Sequence, residues 1–413
     1  MNAKVKVRTI EATFRVVTPL FSAGADPKVA EVRVPSLKGV LRFWWRALAW
    51  SEFGGDLAKI QEAEGELFGS AGHEARRSRV VMFLEGVSGG DSMTEGKLLK
   101  NSAGAVVGHG VRYLGYGLMG AFGANAGNIE RACCGGSLEF KLHLRCRGVD
   151  DAAFGRLVRA LEVLGTVGGL GARSRRGFGS LMLTSLAVDN VPSWGAPGTL
   201  AALGQDIRRL TGASLRSGEP TYTAFSAETR HVLVLGAAAE RDPLVILDRV
   251  GREMVRYRSY GKGGRIFENT DDTERIFQLD HDVMLDVANR RPSQRSVHPR
   301  RVAFGLPHNY FFSSQPKGNA KASVTLARDL DRRASPLFIH VHILDNRPAV
   351  VLTFLPAKFL PASASKVRIG SQWVQLAQER DLYAPIRDFL ARMMGAGRKE
   401  PFGEVLEVRH DAR

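Results

Sequence analysis

The sequence predicts an α+β protein of two domains with long insertions, and three observations carry that expectation. At 413 residues, 44% of them apolar, the chain is too long for one ordinary core and apolar enough to build two. Within residues 1–190, alternating and helix-periodic segments follow in the order strand, helix, strand, strand, helix, strand. After residue 226 strand and helix signals start again. That order is the split βαβ unit of ferredoxin-like domains, which is also the skeleton of the RNA-recognition module (RRM-like).

Residues 8–17 alternate as a first strand, which Thr18-Pro19 ends. Turn formers at 22–28 lead to Pro35-Ser36, where the serine is a natural helix N-cap. Leu37, Val40, Leu41, Trp44 and Leu48 then fall on one helical stripe, with Lys38, Arg42 and Arg46 on a flank beside Trp45. Residues 79–84 and 138–144 read as strands, separated by an irregular glycine-rich stretch, 86–136, that is long for a compact domain. A helix at 152–164 places Phe154, Leu157, Val158, Leu161 and Leu164 on one face, and a strand at 180–186 completes the unit. Prolines and glycines at 191–226 read as an irregular linker between domains at 1–190 and 227–413. The second domain repeats the theme by element order alone: a strand at 230–235, a helix at 243–257, strands at 335–344 and 349–354, and a helix at 383–394.

Between the second helix and the strand after it, residues 165–179 hold six glycines and three arginines. Gly168, Gly169, Gly171, Gly177 and Gly179 would let peptide N–H groups approach phosphate; Arg173, Arg175 and Arg176, with Ser174 among them, offer planar forks to its oxygens. Phe178 is placed to stack on a base. A dinucleotide fingerprint needs a strand before and a helix after, the reverse of this order, and no Gly-Lys-Ser or Gly-Lys-Thr closes a P-loop. A mobile connector with solvated arginines is the alternative. In a split βαβ unit the first helix and this loop can border one cleft, which makes Lys38, Arg42, Trp45 and Arg46 its second wall, while Trp44 reads as core. Arg256, Arg258, Lys262 and Arg265, among glycines, are secondary RNA or partner candidates. So are Arg290, Arg291 and Arg295, although such runs are commonly solvated faces.

A net charge of +16 and a pI near 10.1 point first to nucleic acid and second to an anionic membrane. No apolar run reaches the roughly 18 residues that span a bilayer, and the N-terminal alternation is strand-like rather than a signal peptide, so a cytoplasmic protein without a membrane partner is expected. Three cysteines, Cys133 and Cys134 adjacent, make neither a disulfide framework nor a zinc site, and no metal or cofactor is expected. Catalytic constellations are thin. The partner histidines of Asp280-His281-Asp282 cannot be placed, and His340 and His342 share a strand face that would suit either a metal or a half-buried sheet. Asp26, His73, His109 and His143 leave open a metal-independent endoribonuclease, and a pure assembly scaffold is a third reading.

Residues 34–48, Val-Pro-Ser-Leu-Lys-Gly-Val-Leu-Arg-Phe-Trp-Trp-Arg-Ala-Leu, and 168–179, Gly-Gly-Leu-Gly-Ala-Arg-Ser-Arg-Arg-Gly-Phe-Gly, resemble the RAMP (repeat-associated mysterious protein) superfamily. Supportive matches lie at 303–307, Ala-Phe-Gly-Leu-Pro, and 333–340, Arg-Ala-Ser-Pro-Leu-Phe-Ile-His. Within the superfamily, the Phe-Trp-Trp-Arg helix is similar to that of the first subunits of type III-B CRISPR Cmr complexes. The resemblance implies two ferredoxin-like domains and, as partners, CRISPR guide RNA in its 3′ region, target RNA and other Cmr subunits. It also implies that a different subunit cuts the target, so no catalysis is expected here. The 86–136 stretch matches no motif of the family.

Overall fold

The computed structural model describes residues 5–71, 75–98, 108–120, 125–212, 215–291, 298–312, 320–327, 330–361 and 364–410. Strand β1 (Val7–Val16) turns Ile10, Ala12, Phe14 and Val16 inward, the period of two that its sequence dictates. Helices α1 (Val34–Glu52) and α2 (Leu57–Phe68) precede β2 (Val80–Ser88). An insertion carries β3 (Ser92–Met93), α3 (His109–Leu114) and β4 (Cys133–Cys134), so the 86–136 stretch is less irregular than expected. Then follow β5 (Glu139–Arg147), α4 (Asp151–Val167), β6 (Leu181–Val188) and β7 (Val191–Gly195). The antiparallel sheet β2-β5-β1-β6-β7 has β1 near its centre, with Ala12 opposite Leu142 on one side and Leu186 on the other. Helix α1 packs along α4, and α4 along β6. Pro35 sits in the first turn of α1, whose N-cap is Arg33 without a side-chain bond; Ser36 therefore lies inside the helix and does not cap it.

After α5 (Leu200–Thr211) come β8 (Arg230–Leu235), α6 (Pro243–Arg258), β9 (Arg265–Ile266), β10 (Asp271–Asp272) and α7 (Gln278–Ala288). The chain continues through β11 (His308–Phe312), β12 (Ala320–Thr325), β13 (Leu337–Leu344), β14 (Arg347–Phe354), β15 (Lys366–Ile369) and β16 (Gln372–Gln375). It ends with α8 (Glu379–Leu382), α9 (Ala384–Met393) and β17 (Val405–Arg409). These strands form two four-stranded antiparallel sheets, β13-β14-β8-β17 and β11-β12-β15-β16, and the β9-β10 pair. Counting only strands that frame α1 and α4, or α6 and α9, both main sheets share one spatial order: second, third, first, fourth.

The segment 191–226 is not the irregular linker its prolines and glycines suggested. β7 pairs with β6, and α5 buries Leu200, Leu203, Ile207 and Leu210 between α4 and β17. The ends of α5 are set locally: Thr199 caps the Ala202 N–H, and Gly212 is the C-cap. The cores are correspondingly shared. Leu233, Phe338 and Val351 pack with α1 and α4, while Phe21, Leu118 and Phe178 pack with α6 and β13. Among the described residues no helix is long and apolar enough to cross a membrane. All three cysteines are free and buried, and burial pushes the Cys133 and Cys146 thiols up to about 12.

Candidate nucleic-acid interface

The glycine loop leaves α4 at Gly168 and enters β6 after Ser180. Gly171 (φ +83) and Gly179 (φ +57) are left-handed, and a Cβ would lie 2.5 Å from the Phe21 carbonyl oxygen at the first and run into that of Leu170 at the second. Trp44, Gly179 and Leu247 close in Gly168, Gly169 and Gly177. The loop N–H groups of Leu170, Ala172 and Gly179 donate to the Gly179, Phe21 and Pro19 carbonyls. The expected open cradle of N–H groups is therefore turned inward, because the glycines let the chain fold against its own body.

The three arginines divide. The Arg175 carbonyl accepts the Ile339 N–H, its Nη1 donates to the Ser335 carbonyl at 2.7 Å, and its guanidinium lies 4.4 Å from the Phe338 ring. Arg176 forms a parallel bridge with Ile339 and sets its Nη1 3.3 Å from the Met254 sulfur. Burial pushes both guanidiniums down to about 10, so they stay charged at neutral pH. Around them, the Gly177 carbonyl accepts the Thr18 hydroxyl, Ser180 Oγ accepts the Val341 N–H, and the Gly168 carbonyl accepts His340 Nδ1–H at 2.7 Å. Arg175 and Arg176 thus staple the loop to β13. Ser174 is partly buried, and Phe178, 0% exposed and edge-on to Phe21, has no face free for a base.

Arg173 is exposed, in a left-handed conformation (φ +60), with Nε and Nη2 donating to the Tyr116 carbonyl at 2.9 and 2.5 Å. Its pKa is lowered first by partial burial and then by Arg332 and Arg131, two exposed arginines crowding it. Beside it lies a cleft of about 810 Å³ lined by Phe21, Lys28, Arg131, Ala172 and one acid, Glu130.

The basic flank of α1 faces α2. Arg42 Nε and Arg46 Nη1 both bond Glu64 Oε1, at 2.7 and 2.5 Å, and Lys38 Nζ reaches Ser78 Oγ at 3.3 Å. Burial, then Arg42, lowers the Lys38 pKa. Trp45 is 0% exposed between Phe53 and Phe68, so it too cannot stack on a base. Trp44 is core, as its stripe predicts.

The secondary candidates scatter. Arg256 is buried among Glu253, Asp271 and Glu400; Arg258 is buried 4.2 Å from the Phe304 ring; Arg265 pairs with Asp272. Burial and ion pairs take Arg256 and Arg258 out of reach of a phosphate chain, while Arg265 stays exposed beside Asp272. Lys262, Arg290 and Arg291 are exposed, and Arg295 and His73 lie outside the described residues. Asp280 accepts the Arg300 and Arg301 N–H groups, and His281 stacks on Tyr260. Buried His340 and His342 touch at 3.4 Å, their pKa values pushed by burial to about 4 and about 3, and no cluster of three metal-ligating side chains occurs among the described residues. Asp26 accepts the Lys28 N–H; His109 contacts Arg112, and His143 contacts Glu85. Sequence reasoning missed Arg131 and Arg332. The first lies in the stretch without a motif, and the second immediately precedes the matched segment at 333–340, which could have flagged it.

A model of the RAMP superfamily matches residues 13–182. The CRISPR system Cmr subunit Cmr1-2 of Pyrococcus furiosus is 28% identical over 183 residues, 43% of this chain and 96% of that protein. Cmr subunit Cmr1-1 of the same organism is 32% identical over 157 residues, 37% of this chain and 40% of that protein. The fold is similar to the crystal structure of apo Cmr1 from Pyrococcus furiosus, with a TM-score of 0.55 at 18% identity, covering 97% of this chain and 99% of that one. The RAMP superfamily match, residues 13–182, takes in the end of β1 and all of α1, α4 and the glycine–arginine loop.

Proposed function

We propose that this chain is a non-catalytic RNA-binding subunit of a CRISPR RNA-guided, RNA-targeting complex of the type III-B Cmr class. In this reading it works in the cytoplasm with other Cmr subunits, contacting guide RNA in its 3′ region and the guide–target duplex. Both units are read as ferredoxin-like, supported by the strand order common to the two main sheets. One observation carries the function: Arg131 from the insertion, Arg173 from the loop and Arg332 from the second unit converge at an exposed edge, and among the described residues no carboxylate acts on Arg173. Like charges crowded together suit a phosphate backbone, and Lys28 extends the site along the cleft, against the one acid Glu130. Sequence would be read by base pairing, not by these contacts. The absence of catalysis is supported by Asp26, His109 and His143, each engaged by a neighbour rather than converging on a common point.

Single-stranded RNA binding followed by anisotropy over a salt series tests the reading. Each phosphate engaged contributes about −0.7 to the slope of log K against log salt, so replacing Arg131, Arg173 and Arg332 by Ala flattens it by about 2. An unchanged slope overturns the interface. Labelled RNA incubated in EDTA stays intact; cleavage that Asp26→Asn abolishes would overturn the non-catalytic assignment.

A further inference from the structure

The sheet β11-β12-β15-β16 covers its inner face with α7, against which Val324 and Ala322 of β12 turn, and among the described residues leaves the other face open. That open face carries Phe311 on one edge strand, 64% exposed, and Trp373 on the other, 50% exposed. Of the chain's five tryptophans, Trp44, Trp45 and Trp50 are buried and Trp194 is partly buried, so Trp373 is the one exposed indole. The register places cations beside both rings. Lys321 stands opposite Phe311 with its Nζ 5.7 Å from the ring centroid, and Arg368 stands opposite Trp373, with exposed Lys366 two residues along the same strand. The remaining outward positions of the four strands, read from the same register, are amides and hydroxyls, without a carboxylate. Arg290 and Arg291 add charge past the end of α7, whose Val287 faces Gly370 in the β15–β16 turn.

We infer that this open face is a second RNA-binding surface, on which Phe311 and Trp373 stack two separated bases of a single strand while Lys321, Lys366 and Arg368 hold its phosphates. Two exposed rings among unopposed cations fit a single-stranded nucleic acid, whose bases offer a π-face and whose backbone is anionic. A stable protein interface would need a contiguous apolar core, and this face carries only two rings, on opposite edge strands with polar positions between them. The proposal shares with the function above only the premise that the ligand is RNA, and it uses none of the same residues.

The test is anisotropy titration of the full chain with a fluorescent single-stranded oligouridylate. Trp373→Ala and Phe311→Ala each weaken binding by roughly 5- to 150-fold, the effect of losing one stacked base, and leave the salt slope unchanged. Trp373→Phe retains most of the affinity. Lys321→Ala with Lys366→Ala and Arg368→Ala flattens the slope by about 2. Both rings are exposed, so the variants keep the parent's unfolding midpoint. Unchanged affinity in both aromatic variants overturns the proposal while leaving the arginine cluster standing. If those variants instead lose self-association in sedimentation at unchanged RNA affinity, the face belongs to a protein partner and the inference is likewise wrong.

Discussion

Replacing Arg173 and Arg175 separately distinguishes a binding arginine from a structural one two positions away. Arg175→Ala removes a charge-assisted hydrogen bond to the Ser335 carbonyl, worth about 1.5–3 kcal/mol, and a half-buried contact with the Phe338 ring, worth about 1 kcal/mol. The expected loss of stability is about 3 kcal/mol by urea unfolding, with the RNA salt slope of the folded protein unchanged. Arg173→Ala gives up only exposed bonds to the Tyr116 carbonyl, so stability falls by less than about 1 kcal/mol while the slope flattens by about 0.7. The pair is measured by anisotropy between 50 and 200 mM salt and by denaturant titration of the same samples. If Arg175→Ala flattens the slope at full stability, or Arg173→Ala leaves it untouched, the division of the loop is refuted.

Gly179→Ala forces a left-handed residue to carry a Cβ into the Leu170 carbonyl, and should lower stability by more than about 1 kcal/mol in the same urea assay; a neutral result would mean the loop is not closed against Leu170. Phe178→Ala opens a cavity between Phe21 and Gly115 and is expected to cost about 3–5 kcal/mol, with the RNA affinity of the folded fraction intact. Glu64→Gln leaves Arg42 and Arg46 without their shared anion and should destabilise by about 1–3 kcal/mol, read from the unfolding midpoint. Buried His231, His340 and His342 have folded pKa values of about 3, 4 and 3, below the unfolded value of 6.5. The unfolded chain therefore binds protons that the folded one refuses. Stability is full above pH 6.5 and declines as pH falls toward 4, and a flat profile between pH 6.5 and 5 would contradict their burial.

Local patterns were legible where one element decided the outcome. The stripe of Leu37, Leu41, Trp44 and Leu48 placed α1 and its core face, and the 230–235 strand appears at the expected residues. The β11-β12-β15-β16 sheet and β17 were missed, since their strands are four to six residues long and pair across distant segments. The site followed the same division. Trp45 and Phe178 have the chemistry to stack on a base, yet Phe68 of α2 covers the first and Phe21 the second. The amino-acid sequence by itself determined the α+β class, the order of the main elements and the excess of positive charge. Only the tertiary structure decided which arginines remain free for a ligand, because a charge is neutralised through space by whatever partner folding brings to it. Glu64 takes Arg42 and Arg46, Ser335 takes Arg175, and Arg173 is crowded by Arg131 and Arg332.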